Sequence, residues 1–331
     1  MPSQNNRSSD SSKSQLIPLI VIIGPTAVGK TELSIELAQR LDGEIISADS
    51  RLFYRGMDIG TAKPSLEDRA RVPHHLIDVA EPDDVWSLAR FQRQVQWHID
   101  QIYQRGNLPF LVGGSGQYIR AVIEGWQIPK VRPDPRLRAA LDAWVAEIGA
   151  AGLHDRLAAL DPQAAEKIDP RNVRRTIRAL EVVLSSGRRF SEQRRSGQPT
   201  YNTLMLGLSR PRPELYQRID ERIENMIASG LVEEVRELLD RGYSPETPTL
   251  SAIGYREILA FLAGENSLEE AVVLMKRATR VFVRRQANWF KPNAPEIQWF
   301  EFDPDIIDKM ESAITRFIES LNLHPLHINN Q

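Results

Sequence analysis

The chain has 331 residues, 41% of them hydrophobic and 26% charged, with a formal net charge of −2 and no cysteine. That length suits about two domains with a sizeable core, and the charge balance supplies no global field to recruit nucleic acid, so any such partner needs a local patch. The lack of cysteine excludes disulfides, thiolate zinc sites and a cysteine nucleophile, and it points to the cytoplasm.

Residues 1–15, rich in Ser, Asn and Gln, read as a disordered tail, and no run of about 18 apolar residues offers a membrane span. Residues 17–23 form an apolar run with strand character. It leads into Gly24-Pro25-Thr26-Ala27-Val28-Gly29-Lys30-Thr31 and then an amphipathic helix marked by Leu33, Leu37, Ala38 and Leu41. A strand followed by G-x-x-x-x-G-K-T and a helix is the setting in which a P-loop is credible. The glycines let backbone N–H groups approach phosphate oxygens, Lys30 adds positive charge, and the Thr31 hydroxyl can hold Mg²⁺. A chance glycine-rich turn is the plain alternative, and the flanking strand and helix weigh against it.

Residues 44–48 read as a second strand ending at Asp49, and residues 75–79 as a third. Leu88, Phe91, Val95, Ile99 and Ile102 form a helical stripe over residues 87–105. A strand over 108–112 stops at Gly113-Gly114, and a helix follows over 115–124. This alternation predicts a P-loop NTPase-like α/β core with a parallel sheet and helices on both faces. Residues 24–31, Asp49 and 113–115 all fall at strand carboxyl ends, where such sheets bind ligands. Pro129, Pro133 and Pro135 then mark a linker, and residues 136–190 read as helices only, broken at Asp161-Pro162 and Asp169-Pro170. Strand character returns over 203–208 and 297–302, with a long helix over 268–290. The simplest architecture is a core of residues 16–127 and 201–331 interrupted by an all-helical insertion over 128–200.

Asp49 can accept a proton or hold Mg²⁺ through water, and equally can cap a helix, make a turn or bond a ribose. No Walker-B pattern of a long apolar run ending in Asp appears, which argues against motor ATPases and GTPases. The insertion carries Arg171, Arg174, Arg175, Arg178, Arg188, Arg189, Arg194 and Arg195, opposed by Glu181 and Glu192 alone between 171 and 195. Arginines at this density suit RNA phosphates, with a solvated helix face as the alternative. Lys276, Arg280 and Arg284, with Arg277, Arg285 and Lys291 beside them, form a second cluster. The stripe of Met275, Phe282 and Trp289 opposite them reads as core. Arg218 and Arg222, four apart, can face a polyanion together or pair with Asp220, Glu221 or Glu224. His74-His75 lacks metal-ligand spacing and reads as structural. On the residues alone, an enzyme with a diphosphate leaving group, a small-molecule kinase and a non-catalytic RNA-binding protein all stay open.

The combination closely resembles the bacterial tRNA dimethylallyltransferases, the IPP transferase family. Beyond the P-loop, the matching stretches are Ile46-Ser-Ala-Asp-Ser50, Tyr54-Arg-Gly-Met-Asp-Ile-Gly-Thr-Ala-Lys-Pro64, Val72-Pro-His-His-Leu-Ile-Asp78 and Val112-Gly-Gly-Ser115. Further matches are Arg178-Ala-Leu-Glu-Val182, Arg218-Ile-Asp-Glu-Arg222, Gly254-Tyr255 and Arg284-Arg-Gln-Ala-Asn-Trp289. The resemblance implies transfer of a dimethylallyl group from dimethylallyl diphosphate to N6 of adenosine 37 in the tRNA anticodon stem-loop. It implies that residues 24–31 grip the diphosphate, with Lys30, Thr31 and Arg218 or Arg222 assisting and Thr31 on Mg²⁺. Asp49 matches the general base. Asp49, Ser50, Arg51, Leu52 and Ser115, with Val173, Arg174, Arg175, Thr176 and Ile177, match tRNA-contacting positions, as does a stretch just before Gly254. Ser115 stands where the family usually has Thr, and Arg51-Leu52 are not its commonest pair. The expected enzyme is a cytoplasmic monomer that makes no use of a membrane.

Overall fold

The computed structural model of the chain describes residues 16–321 except 130, 132, 133, 194–196, 198 and 199. The tail expected over residues 1–15, and Arg194 and Arg195 of the first basic cluster, lie outside the described residues. The described residues fall into two compact units. One lies within Met1–Val85, Gln94–Gly116 and Thr200–Gln331, and the other within Trp86–Arg93 and Gln117–Pro199.

The first unit is built on strands β1 (Ile17–Ile23), β2 (Gly43–Ser47), β3 (His74–His75), β4 (Leu108–Gly113), β5 (Tyr201–Ser209) and β6 (Ile297–Glu301). They form one sheet in the order β3-β2-β4-β1-β5-β6, and every pairing is parallel. Leu19 to Ile23 of β1 are all 0% exposed. A central parallel strand is covered on both faces, so β1 is a continuous apolar run where an alternating pattern would mark a half-exposed strand. Parallel neighbours need crossovers, and helices supply them. Among these, α1 (Lys30–Arg40) links β1 to β2 and buries Leu33, Leu37 and Ala38. The chain runs outward from β1 to β2 and β3, returns to β4, and then continues on the other side of β1 with β5 and β6. A reversal of strand order beside β1 opens a crevice at the carboxyl ends of β1 and β4.

The strand expected over 75–79 is cut short, because only His74 and His75 pair with β2. Leu76 and Asp78 adopt left-handed backbone at φ 61° and 55°, which takes the chain out of the sheet. The Asp78 N–H instead donates to Leu52 O and the Val79 N–H to Phe53 O. Before β3, α2 (Leu66–Arg71) begins with a reciprocal capping box between Ser65 and Asp68. After it come α3 (Leu88–Gln104) and α4 (Gly116–Ile123).

The second unit holds α5 (Pro135–Leu160), α6 (Pro162–Lys167), α7 (Val173–Ser186) and α8 (Phe190–Gln193). Asp134 caps α5 ahead of Pro135, and Gly149 at φ 72° kinks it. Leu141, Leu153, Leu157, Ile168, Ile177 and Leu180 make its core. Glu181, 0% exposed, accepts hydrogen bonds from Arg138, Arg178 and the Asp134 N–H.

The first unit is completed by α9 (Arg212–Ala228), α10 (Leu231–Asp240), α11 (Tyr255–Leu262), α12 (Leu268–Ala287) and α13 (Ile306–Ser320). A Ser267–Glu270 capping box opens α12. Arg280 pairs with Asp220 and Lys276 with Glu224 across α9 and α12. Met275 is buried, but Phe282 and Trp289, expected in the core, are each 41% exposed. The helix ends at Ala287, so Trp289 lies past the stripe, where it packs against Gly116 so closely that a Cβ on that glycine would lie 2.3 Å from the tryptophan.

On the edge of β2, Glu44 is 3% exposed and accepts hydrogen bonds from both sides of the Arg105 guanidinium and from Asn107, with the His75 ring 2.6 Å away. Burial pushes its carboxyl up, but those partners win and hold it at about 2. His98, 4.5 Å from His75 between ring centres, is lowered to about 4, first by burial and then by the charges of His75 and Arg105. Both groups sit below their unfolded values, so both contribute stability that is complete at neutral pH. The contribution of His98 is lost as pH falls from 6.5 towards 4, and that of Glu44 from 4.5 towards 2. Urea titrations across this range are expected to show that Glu44→Gln is less stable at pH 7 and loses less on acidification than the parent chain.

Candidate active site

The loop between β1 and α1 sits at the crevice. Gly29 caps α1 in the left-handed region at φ 108°, and a Cβ there would lie 2.9 Å from the Phe302 ring, so both the turn and the close approach require glycine. Ala27 is also left-handed, at φ 64°. Four carbonyls of the loop are held by cations. Lys30 Nζ donates to Gly24 O (3.0 Å) and Pro25 O (2.8 Å), Arg218 Nε to Ala27 O (2.9 Å), and Arg210 Nε to Val28 O (2.9 Å). The Arg210 guanidinium also stacks 3.5 Å over Phe302 and pairs with Glu214. Carbonyls tied down in this way leave the amides of a P-loop for an anion. Two amides are already taken: the Val28 N–H donates to Pro25 O at 3.4 Å, and the Thr26 N–H to Gln286 Oε1 at 3.0 Å, while Gln286 Nε2 donates to Gly114 O at 3.1 Å. Gln286 is 8% exposed and ties the P-loop to the end of β4.

Beside the loop lies a cleft of about 430 Å³. Lys30, Thr31, Asp49, Arg218 and Arg222 supply its polar wall, and Ile45, Leu52, Ile77 and Val112 an apolar one. Asp49 Oδ1 accepts the Arg51 N–H at 3.0 Å, so the carboxylate shapes its own turn as well as facing the cleft. Burial lowers the Lys30 ammonium to about 8; the charge of Asp49 opposes the shift and that of Arg222 adds to it. Burial likewise lowers Arg222, again against the attraction of Asp49. The cleft thus brings three cations, Lys30, Arg218 and Arg222, together with the carboxylates of Glu32, Asp49 and Glu221; of these cations, Lys30 and Arg222 feel Asp49. Its donor chemistry, a hydroxyl and a carboxylate, also suits a hard cation that keeps water and phosphate oxygens as its other ligands.

Residues 57–64 form another wall, with Thr61, Ala62 and Pro64 on the cleft. Lys63, its side chain 2% exposed, donates to Tyr54 O (2.8 Å) and pairs with Asp58 and Asp78, and Asp78 also pairs with Arg69. Asp58-Ile-Gly-Thr-Ala-Lys-Pro64 is thus a clamped loop. Its sequence is distinctive, yet nothing local in it signals that Lys63 is internal. Arg210 carries no sequence signal of a site role, and Gln286 carries only its place in the matching stretch Arg284–Trp289, because the loop groups they hold lie 182 and 260 residues away. His75 binds Glu44 as a structural residue would, whereas His74 lines the cleft.

Ser50, Leu52 and Ser115 are half-buried in this unit, and Arg51 donates to Thr249 O. The remaining candidates belong to the helical unit. Arg174 and Arg175 are exposed on the first turn of α7, and Arg188 and Arg189 are exposed beyond its end. Thr176 is 0% exposed and donates to Asn172 O, Ile177 is core, and Val173 packs against that core. Side-chain contact with a ligand is therefore open to Arg174 and Arg175, while Thr176 and Ile177 face inward because α7 must bury that stripe. Arg178 is bound to buried Glu181 and Arg171 to Asp169, so both are already paired.

A family model described as IPP transferase matches residues 52–293. A tRNA dimethylallyltransferase of Roseiflexus sp. (strain RS-1) is 52% identical over 301 residues, covering 91% of this chain and 98% of that protein. One from Thermomicrobium roseum is 50% identical, covering 90% and 91%. The crystal structure of a full-length tRNA isopentenylpyrophosphate transferase from Bacillus halodurans superposes with a TM-score of 0.69 at 42% identity, covering 92% and 97%. A eukaryotic dimethylallyltransferase, described as acting on tRNA, superposes at 0.79 with 28% identity, covering 92% and 80%.

Because burial holds Lys30 at about 8, an anion bound beside it raises that value. Inorganic diphosphate binding at pH 8.5 is therefore expected to take up protons, seen as a buffer-dependent enthalpy in calorimetry, with the uptake absent in Lys30→Met and small at pH 6.5.

Proposed function

The chain belongs to the IPP transferase family, prenyltransferases that include the tRNA dimethylallyltransferases, and we propose that it moves a dimethylallyl group from dimethylallyl diphosphate to N6 of adenosine 37 in tRNA. One observation carries this reading: Asp49, at the carboxyl end of β2, lines the same cleft as Lys30, Thr31, Arg218 and Arg222. That pairing of one base with an anion grip serves a reaction in which a proton leaves the acceptor as diphosphate leaves the donor.

The adenine N6 lone pair is delocalised into the ring, so the amine is a poor nucleophile. The base has to leave the anticodon-loop stack to reach the cleft. As the allylic C–O bond breaks and the C–N bond forms, Asp49 takes the N6 proton. The departing diphosphate is met by the P-loop amides and by Lys30, Arg218 and Arg222, whose positions are fixed before it arrives. Ile45, Leu52, Ile77 and Val112 supply a dry wall for the prenyl group and keep water from the allylic carbon. Thr31 would hold Mg²⁺, which would neutralise charge on the leaving diphosphate.

In this reading residues 128–200 form the tRNA-binding insertion. The exposed Arg174 and Arg175 support contact with the anticodon stem-loop through phosphates. The enzyme acts as a monomer in the cytoplasm, a compartment that a chain without cysteine suits.

Incubation with labelled dimethylallyl diphosphate, Mg²⁺ and undermodified tRNA is expected to place label on the RNA, and the absence of any transfer would overturn the assignment. Asp49→Ala is expected to lower kcat by roughly 10²–10⁴ while tRNA still binds. Neutralising Arg174 and Arg175 together should weaken tRNA binding and reduce the slope of log K against log salt by about one for each phosphate that the variant leaves unneutralised. Neutralising Arg178 should instead destabilise the helical unit, because Glu181 stays buried with one partner fewer.

A further inference from the structure

We propose that Glu234 is a positioning residue for the diphosphate cleft, which it does not itself line: it builds the loop of residues 57–64 and, through that loop, sets where Arg222 lies. The proposal rests on reading the cleft as the site of dimethylallyl diphosphate.

Glu234 lies on α10 and is 8% exposed. Its Oε2 accepts the N–H groups of Asp58 (2.8 Å) and Ile59 (2.7 Å), and its Oε1 accepts the Gly60 N–H (3.1 Å) and the Tyr255 hydroxyl (2.6 Å). Three consecutive amides closing on one carboxylate form a nest of the kind that binds anions, with the anion here supplied by the chain. The approach is close enough that a Cβ on Gly60 would lie 2.5 Å from the Tyr255 ring and 2.9 Å from Leu231. Burial, with the charge of Glu234 added, pushes the Tyr255 hydroxyl well above its usual range, so it stays a donor.

From this anchor the loop continues to Thr61, whose hydroxyl donates to Met57 O at 2.6 Å and whose carbonyl accepts from Arg222 Nη2 at 3.3 Å. Lys63 ties down the far end through Tyr54 O and Asp78. The linkage therefore runs from a carboxylate outside the cleft to three amides, a carbonyl, and a guanidinium on the cleft wall. Thr61, Ala62 and Pro64 form that wall as well. Only a carboxylate can serve in this place. A glutamine has one acceptor oxygen, and whichever way its amide turns, the NH₂ faces at least one backbone N–H, that of Gly60 or those of Asp58 and Ile59, and loses that bond.

The test measures inorganic diphosphate affinity and steady-state transfer in Glu234→Gln, Arg222→Met and the double variant. Glu234→Gln is expected to weaken diphosphate and raise KM for the prenyl donor by about tenfold, with KM for tRNA unchanged within about twofold. In the Arg222→Met background the same change is expected to have less than about a twofold effect on diphosphate, because the group it positions is gone. An unchanged diphosphate affinity in Glu234→Gln, or equal weakening in both backgrounds, would overturn the proposal. Tyr255→Phe removes one bond to Glu234 and keeps its charge, so it carries the same cycle, with a smaller expected change, if Glu234→Gln does not fold. Wild-type protein that binds diphosphate but transfers nothing to tRNA would count against the reaction assigned to the cleft. The linkage would still be read from diphosphate binding alone.

Discussion

Three cations, Lys30, Arg218 and Arg222, line one cleft before any anion has arrived. Like charges repel more strongly as water is withdrawn; burial lowers both Lys30 and Arg222, and for Lys30 the charge of Arg222 adds to it. The protein answers with carbonyl dipoles. Gly24 and Pro25 receive Lys30, Ala27 receives Arg218, and Thr61 receives Arg222. Asp49 adds the negative charge that Lys30 and Arg222 both feel. Each cation is thereby oriented without being neutralised, which is the condition for gripping a polyanion that later has to leave.

Those carbonyls have to be held in turn. The P-loop conformation depends on left-handed backbone at Ala27 and Gly29, on the contact of Phe302 with Gly29, and on Arg210 and Gln286 reaching in from outside. The Thr61 carbonyl depends on a loop closed by Glu234 at one end and Lys63 at the other. In both cases a short segment is fixed by charged or amide side chains, among them Gln286 of α12 and Glu234 of α10. The helical unit uses the same device, since buried Glu181 gathers Arg138, Arg178 and the Asp134 N–H around α5 and α7.

Elements with strong local codes are legible from the residues. The apolar run of β1, the glycine and lysine pattern after it, and the amphipathic stripes of α1 and α3 correspond to what folds. The strand expected over 75–79 misleads, because Leu-Ile-Asp-Val has strand composition but Asp78 is drawn to Lys63 and Arg69. The stripe of Phe282 and Trp289 misleads because periodicity reports a face and not what covers it or where the helix ends. The arginine-rich segment reads as a single patch, yet Arg171 and Arg178 are paired, and Thr176 and Ile177 face inward.

By itself, then, the sequence determined the parallel core, the P-loop and the family, because each is written in neighbouring residues whose spacing matches the period of a strand, a turn or a helix. Only the tertiary structure decided which charges are free to act and which are internal. Whether Asp78, Lys63, Glu234 or Arg178 meets solvent, substrate or another side chain depends on which partner the fold turns towards it, from 3 residues away for Arg178 and Glu181 to 176 for Glu234 and Asp58. A buried charge keeps its place only when such a partner satisfies it.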